Sequence, residues 1–396
     1  MTENKRVRQL TCHAMNYNWG KLGSSSLIYQ FLEKDHASSL NPELPYAELW
    51  MGDHPSQPSI LRETKDRNSK ILEPFTTEPN NTLPFLFKIL SVQKPLSLQC
   101  HPNLEQARIL HQKDPSNYPD PNHKPECGLF LTKGALLYGI REYQQIIEFF
   151  NKIPELQNLI SQEALHNFTA KHDEDSFRIL FREFMTVKPD ILKTNLDSFK
   201  ARYKTIDAID PLTKHAIDLI IANFPNDGGI FIPFILNVEP ASPGEVVLIP
   251  TGTLHAYLEG DLIEAMALSD NVVRAGMTPK FVDVETLLTI MSFKPLKPVH
   301  LHPTPENIGN VKNSVLNHYS TGYNSFNLES GVAAPNEKFT IPAKKHASVI
   351  LILNGKCKLD NTEYSAGSVL LVLPQTSLSI ESIGNENTDF YICSSQ

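Results

Sequence analysis

The spacing of apolar residues changes twice along this chain, and no single type of regular structure fits all three stretches. Up to about residue 143 the apolar residues come in short runs broken by Pro, Asn, Asp and Gly, such as Leu83-Pro-Phe-Leu-Phe-Lys-Ile-Leu90 and Leu96-Ser-Leu-Gln-Cys-His101. Runs of this length at turn-rich spacing predict β-strands. From Gln144 to about Pro225 the spacing becomes helical. Phe177, Leu180, Phe181, Phe184 and Met185 fall at i, i+3, i+4, i+7 and i+8, one face of an α-helix that Asp173 or Asp175 would cap. Asp210-Pro211, a capping acid followed by proline at the first helical position, opens a second helix carrying Ala216, Ile217, Ile220, Ile221 and Phe224. Strand character returns at Ile230 and continues through Gly244–Pro250, Leu254–Glu259, Val349–Gly355 and Gly367–Pro374. The expected fold is mainly β with a helical insertion. Residues 1–143 and 226–303 form one discontinuous β unit, 144–225 a helical unit and 304–396 a second β-barrel.

Two of these segments resemble each other. Gly244-Glu-Val-Val-Leu-Ile-Pro250 and Gly367-Ser-Val-Leu-Leu-Val-Leu-Pro374 both join a glycine, an apolar run and a proline turn, the second being one residue longer. His255 follows the first, whereas no histidine follows the second in Pro374-Gln-Thr-Ser-Leu-Ser-Ile-Glu381. Two related barrels, one with a site and one without, would produce this pattern.

Composition removes several function classes. With 36 Lys and Arg against 44 Asp and Glu the net charge is -8, which lacks the basic stripe of a nucleic-acid-binding protein. There are 29 prolines but only 18 glycines, and neither GxGxxG nor GxxxxGK[ST] occurs, which argues against a glycine-loop nucleotide fold. The five cysteines, Cys12, Cys100, Cys127, Cys357 and Cys393, are scattered and odd in number, unlike a disulfide framework. The first ten residues contain no apolar signal core, and the longest apolar run, Ile230 to Val238, is far short of the ~18 residues a membrane span needs. A soluble, reduced, cytoplasmic protein with no nucleic-acid or membrane partner is expected.

Chemistry concentrates in four places. On a strand, Ser97, Gln99 and His101 share one face, a polar face that must meet solvent or line a cavity. In Asn122-His-Lys-Pro-Glu126 the same alternation puts Lys124 and Glu126 on one face and turns His123 away; if the two are a plain surface pair, Pro125 would mark an edge strand. His255 and Tyr257 share a face of the strand after the Gly–Pro turn. His101, Glu126 and His255 are three good metal ligands, with Gln99 a candidate oxygen donor, a set that suits catalytic Zn²⁺ or non-haem Fe(II). Finally, Ser269-Asp-Asn-Val-Val-Arg274-Ala-Gly-Met-Thr-Pro-Lys280 places Arg and Lys around a Gly–Pro loop that could clamp a phosphate.

Taken in order, these segments resemble the type I phosphomannose isomerases, zinc enzymes of the cupin superfamily. The resemblance is carried by Tyr17-Asn-Trp-Gly-Lys-Leu-Gly23, Ala47-Glu-Leu-Trp-Met-Gly-Asp-His-Pro-Ser56, Leu83–Ser91 and Lys94-Pro-Leu-Ser-Leu-Gln-Cys-His-Pro102. It continues through Tyr118-Pro-Asp-Pro-Asn-His-Lys-Pro-Glu126, Gly252-Thr-Leu-His-Ala-Tyr257 and the long match Asp261–Asp283. The last 90 residues or so match in general character only. One departure is Asn18 before Trp19, where the family carries Asp or Ala.

The resemblance implies two cupin-type jelly-roll barrels plus the helical unit, with no metal site in the C-terminal barrel. It implies one Zn²⁺ per chain held by Gln99, His101, Glu126 and His255, and an active-site arginine at Arg274. Phosphate recognition would fall on Ser97, Lys88, Arg274 and Lys280, with Lys124, Glu264, Tyr257, Asp270 and Glu48 lining the same pocket. The implied reaction interconverts mannose 6-phosphate and fructose 6-phosphate through an enediol in a monomeric enzyme, feeding mannose and GDP-mannose metabolism. Such chemistry needs a base near C2, for which Lys124 and Glu264 are equal candidates. Two other readings compete. A cupin Fe(II) dioxygenase would have no use for a phosphate clamp. A non-catalytic sugar-phosphate binder would be expected to have lost Arg274 or a ligand.

Overall fold

The computed structural model describes residues 5–35, 40–63, 71 and 82–396. An eleven-stranded antiparallel sheet formed between His13 and Leu301 carries the site. Behind it lies an eight-stranded sheet drawn mainly from residues 304–394, and a four-stranded sheet covers the far side of that. The first strand, Val7–Thr11, pairs not with its sequence neighbours but with Val369–Val372, and Ile60–Leu61 pairs with it in turn, so the start of the chain is built into the C-terminal sheet. Among the described residues, no helix is long and apolar enough to cross a membrane.

The central strands read as continuous apolar runs because successive side chains point to opposite faces and both faces of those strands are covered. In Ser348–Asn354, Val349, Leu351 and Leu353 pack toward the catalytic sheet while Ile350 and Ile352 face the four-stranded sheet. In Phe85–Val92, Phe85, Phe87 and Ile89 meet that C-terminal layer. The alternate residues of the same strand, Leu86, Lys88 and Leu90, line a cavity.

The helical stretch forms as expected. Glu174–Met185 is a helix capped by Asp173, whose side chain accepts the Ser176 N–H, so the choice between Asp173 and Asp175 falls to the former. Pro211–Asn223 is capped by Asp210 in the same way. The apolar faces, with Phe177, Leu180, Phe181, Ile217 and Ile220, close over Leu98, Cys100, Ala256 and Leu258 on the outer face of the site strands. One expectation fails. Strand character does not return at Ile230, because Gly228–Phe234 is a 3-10 helix and the strand begins only at Leu236. Asp227 caps Gly229, and Pro233 has no N–H to give a ladder.

Candidate active site

Four neighbouring strands supply the floor of the cavity. Register pairs Trp50 with Lys88, Lys88 with Glu264, and Glu264 with Gly128, one row across the sheet. One step along, the next row holds Leu86, Met266 and Glu126. Glu48, two residues before Trp50 on the same face, also lines the cavity. Gly128 is required here: a Cβ would stand 2.7 Å from the Tyr257 hydroxyl and 2.9 Å from Leu262. The side wall comes from two more strands and the start of one floor strand, with Gln99 lying between His255 on one side and Arg274 on the other.

One long strand, His255–Ala267, joins floor to wall. Its start pairs with the wall and its end with the floor, so it delivers His255 to one and Glu264 to the other. Between the two halves Gly260 takes φ +117° and its Cα side lies against the Gly134 backbone, where an added Cβ would come within 3.0 Å.

The cavity encloses about 950 Å³ and is lined by four carboxylates (Glu48, Glu126, Glu264, Asp270) and five cationic side chains (Lys88, Lys94, Lys124, Arg274, Lys280). At its inner end His101, Glu126 and His255 converge, all buried. Each imidazole gives its Nδ1 proton to a backbone carbonyl at 2.9 Å, His101 to Asn271 and His255 to Thr253. That fixes the tautomer and leaves both Nε2 lone pairs facing Glu126, each 3.3 Å from a carboxylate oxygen. Both Nε2 atoms and Glu126 Oε2 are buried without a hydrogen-bond partner among the described residues. Ligands about 2.05 Å from a tetrahedral zinc stand about 3.3 Å from one another, so the orphaned atoms are spaced to hold such an ion. Burial pulls the His101 pKa down to about 4, which keeps the ring neutral and ligand-ready.

Beside this cluster lies an ion-pair chain. Lys88 Nζ is 3.0 Å from Glu264 and 3.4 Å from Glu48, and Glu48 also accepts the Trp50 indole N–H. Burial opposes the Lys88 charge, but Glu264 and Glu48 outweigh it and hold its pKa above the ordinary lysine value. Glu264 moves up to about 7, driven by burial and by Glu126 and Glu48, against the pull of Lys88. Lys124 is buried with Nζ 3.5 Å from Glu126.

Of the residues expected at the site, Ser97, Lys88, Lys280, Asp270, Glu48, Lys124, Glu264, Arg274, Gln99 and Glu126 all line this cavity, and His101 and His255 stand at its inner end. Tyr257 does not line it. It shares the face of His255 but lies deeper, where it is 1% exposed and packs on Phe130 with ring centroids 6.1 Å apart. The expected edge strand at Pro125 is also corrected. The strand starts at Glu126 and is paired on both sides, with Val246–Ile249 and with His255–Ala267. His123 does turn away, meeting Tyr323 edge-on at 5.7 Å.

Sequence reasoning missed Asp227. Its carboxylate accepts the N–H groups of Gly229 at 2.7 Å and Met277 at 3.0 Å. It thereby fastens the Arg274–Lys280 loop, with Met277 at φ +53°, to the helical side of the molecule. Within Asp227-Gly-Gly it reads as an ordinary turn, so nothing local signals the long-range role.

Three comparisons with known proteins bear on this site. The profile described as phosphomannose isomerase type I, catalytic domain, matches residues 7–143. Mannose-6-phosphate isomerase 1 of Arabidopsis thaliana is 33% identical over 405 residues, covering 96% of this chain and 92% of that protein. The Homo sapiens mannose-6-phosphate isomerase is 38% identical over 316 residues, covering 73% and 74% respectively. Among solved structures, a zinc-bound mannose 6-phosphate isomerase superposes with a TM-score of 0.81 at 25% identity, covering 99% of this chain and all of that one.

Proposed function

This chain belongs to the type I phosphomannose isomerases, and from that premise we propose how its cavity performs their reaction. The protein is an isomerase that interconverts mannose 6-phosphate and fructose 6-phosphate, and its cofactor is Zn²⁺. His101, Glu126 and His255 hold the zinc, with Gln99, their neighbour in register, as the fourth protein ligand. When bound, the ion acts as a Lewis acid that stabilises negative charge developing on the substrate oxygens. The observation that carries this reading is the pair of bare, tautomer-locked Nε2 atoms facing a buried carboxylate at one end of a charged cavity.

The remaining steps fall to the chain's own groups. Arg274 and Lys280, with Ser97 at the wall, bind the phosphate and orient the sugar. The isomerisation takes a proton from C2 and returns one to C1, through an enediol, while a proton passes from O2 to O1. Glu264 is the better of the two base candidates, because a group moved up to about 7 exchanges protons readily near neutral pH. Lys124 is instead placed to steady the enediolate charge. Lys88, itself paired with Glu48, holds Glu264 in place from the neighbouring strand. The same proposal assigns residues 1–143 and 226–303 to the catalytic cupin barrel and 304–396 to a second jelly roll without a metal. Val7–Thr11 and Ile60–Leu61 are lent to the second barrel's sheet. It also takes the enzyme as a cytoplasmic monomer.

Formation of fructose 6-phosphate from mannose 6-phosphate by the purified protein tests the assignment. Tight binding of the sugar phosphate with no turnover would instead favour a binding protein.

A further inference from the structure

The segment Gly52-Asp-His-Pro-Ser56 borders the cavity and has no part in the steps above. Its histidine is 3% exposed and stands edge-on to Trp50, with ring centroids 4.7 Å apart. His54 Nε2 lies 3.1 Å from Oδ1 of Asp270, a cavity-lining carboxylate whose side chain is 47% exposed. The other edge of the ring is engaged too. Nδ1 faces the Ser56 backbone N–H at 3.3 Å and the Ser56 hydroxyl at 2.9 Å, in a turn closed by Pro55. An amide can only donate, so Nδ1 is the acceptor and the ring proton sits on Nε2, where it is donated to Asp270.

The Asp270 backbone is fixed independently. Its N–H goes to Asp120 at 2.7 Å, and the adjoining Asn271 side chain donates to the carbonyls of Asp120 and Asn122 at 2.7 and 2.9 Å. Backbone and one carboxylate oxygen are thus both held, which leaves Oδ2 as the acceptor available to the cavity.

We propose that His54 is a positioning residue, which locks the Asp270 carboxylate with one oxygen on the imidazole and the other presented to a sugar hydroxyl. The proposal rests on reading the cavity as the sugar-phosphate site. The electrostatics agree: burial opposes the Asp270 charge, but the His54 hydrogen bond, with Lys124 and Lys88 nearby, holds its pKa below the usual aspartate value. A histidine kept only for packing on Trp50 would need no donor at Nε2.

That contrast sets the test. His54→Phe keeps the ring on Trp50 and removes the donor. His54→Gln puts an amide N–H near the Nε2 position. With mannose 6-phosphate as substrate, His54→Phe should lose about 10- to 100-fold in kcat/KM, the range expected for one hydrogen bond to a charged group, with zinc content and melting temperature retained. His54→Gln should stay within a few-fold of wild type, and in an Asp270→Asn background His54→Phe should add little further loss. A His54→Phe enzyme at the wild-type rate, a His54→Gln enzyme as slow as it, or full additivity with Asp270→Asn would each overturn the proposal. Independently of any variant's folding, the ring ¹⁵N shifts of His54 in the wild-type protein should report the proton on Nε2, and a proton on Nδ1 overturns it. Wild type is assayed in the same series. No conversion there removes the proposed function and this inference with it, whereas an active wild type beside an indifferent His54→Phe removes this inference alone.

Discussion

Two clusters of metal-binding residue types stand on different sheets of this molecule: His101, Glu126 and His255 on the catalytic sheet, and Glu306, His318 and Glu329 on the C-terminal one. In both, a buried glutamate faces an imidazole nitrogen at 3.3 Å. They differ in what surrounds the glutamate. In the first, both imidazoles are turned by backbone carbonyls so that Nε2 points inward, and Lys124 makes only a long ion pair with Glu126, at 3.5 Å. In the second, His318 approaches through Nδ1, and Lys344 is in direct hydrogen-bond contact with the same Glu329 oxygen. A resident ammonium touches the buried carboxylate there, whereas in the first cluster Lys124 stands farther off and both Nε2 atoms are left without a hydrogen-bond partner among the described residues. Residue type alone does not make a metal site. The outer contacts that orient the ligands, and a glutamate whose ammonium neighbour stands off instead of hydrogen-bonding to it directly, do.

Substitutions can break or sharpen this contrast. The largest effect should come from His101→Ala, which removes a proposed zinc ligand: bound zinc and turnover should both fall to background, whereas His318→Ala should leave both at wild-type levels. Metal analysis beside a turnover assay reads this directly, and zinc loss in His318→Ala would erase the distinction. Glu264→Gln should keep zinc and lose about 10²- to 10⁴-fold in kcat, the contribution of a general base. In wild type the kcat/KM profile should fall as pH drops through about 7, because the base is active when deprotonated, and that limb should vanish in Glu264→Gln. Arg274→Ala should keep zinc and lose about 10²- to 10³-fold in kcat/KM, because it removes a charged phosphate clamp that orients the sugar. The smallest effect on activity should be that of Lys344→Met. It leaves Glu329 buried without its cation, so denaturant unfolding should show a loss of about 3–5 kcal/mol while the folded fraction turns over normally.

Much of this was legible in the residue pattern, and the exceptions share a physical cause. Helices announced themselves through spacing and caps, since both are local: Asp173 and Asp210 cap the helices that Phe177 and Ile217 help to define. Lys88 inside an apolar run was legible as a residue of a buried strand, but its face and its partners Glu264 and Glu48 depend on cross-strand register. Convergence of His101, Glu126 and His255 was likewise out of reach of spacing alone, and came only through the resemblance. Tyr257 was misplaced because same-face alternation with His255 does not say how deep in the barrel a side chain ends. The pairing of Val7–Thr11 with Val369–Val372 spans nearly the whole chain, and His54 and Asp227 act through distant partners, so no local pattern marks any of them. The Ile230 segment failed differently: its apolar content was read as a strand although Gly228, Gly229 and Pro233 favour a tight turn.

The most direct test of the central claim, that the His101–Glu126–His255 cluster is the zinc-dependent isomerase centre, is one coupled assay of mannose 6-phosphate to fructose 6-phosphate on a single preparation. It is run before chelation, after chelation and after zinc is restored, with bound metal counted at each stage. The expected result is activity that disappears with the metal and returns as zinc approaches one per chain. Full activity in the metal-free protein, or no conversion at one zinc per chain, would contradict it.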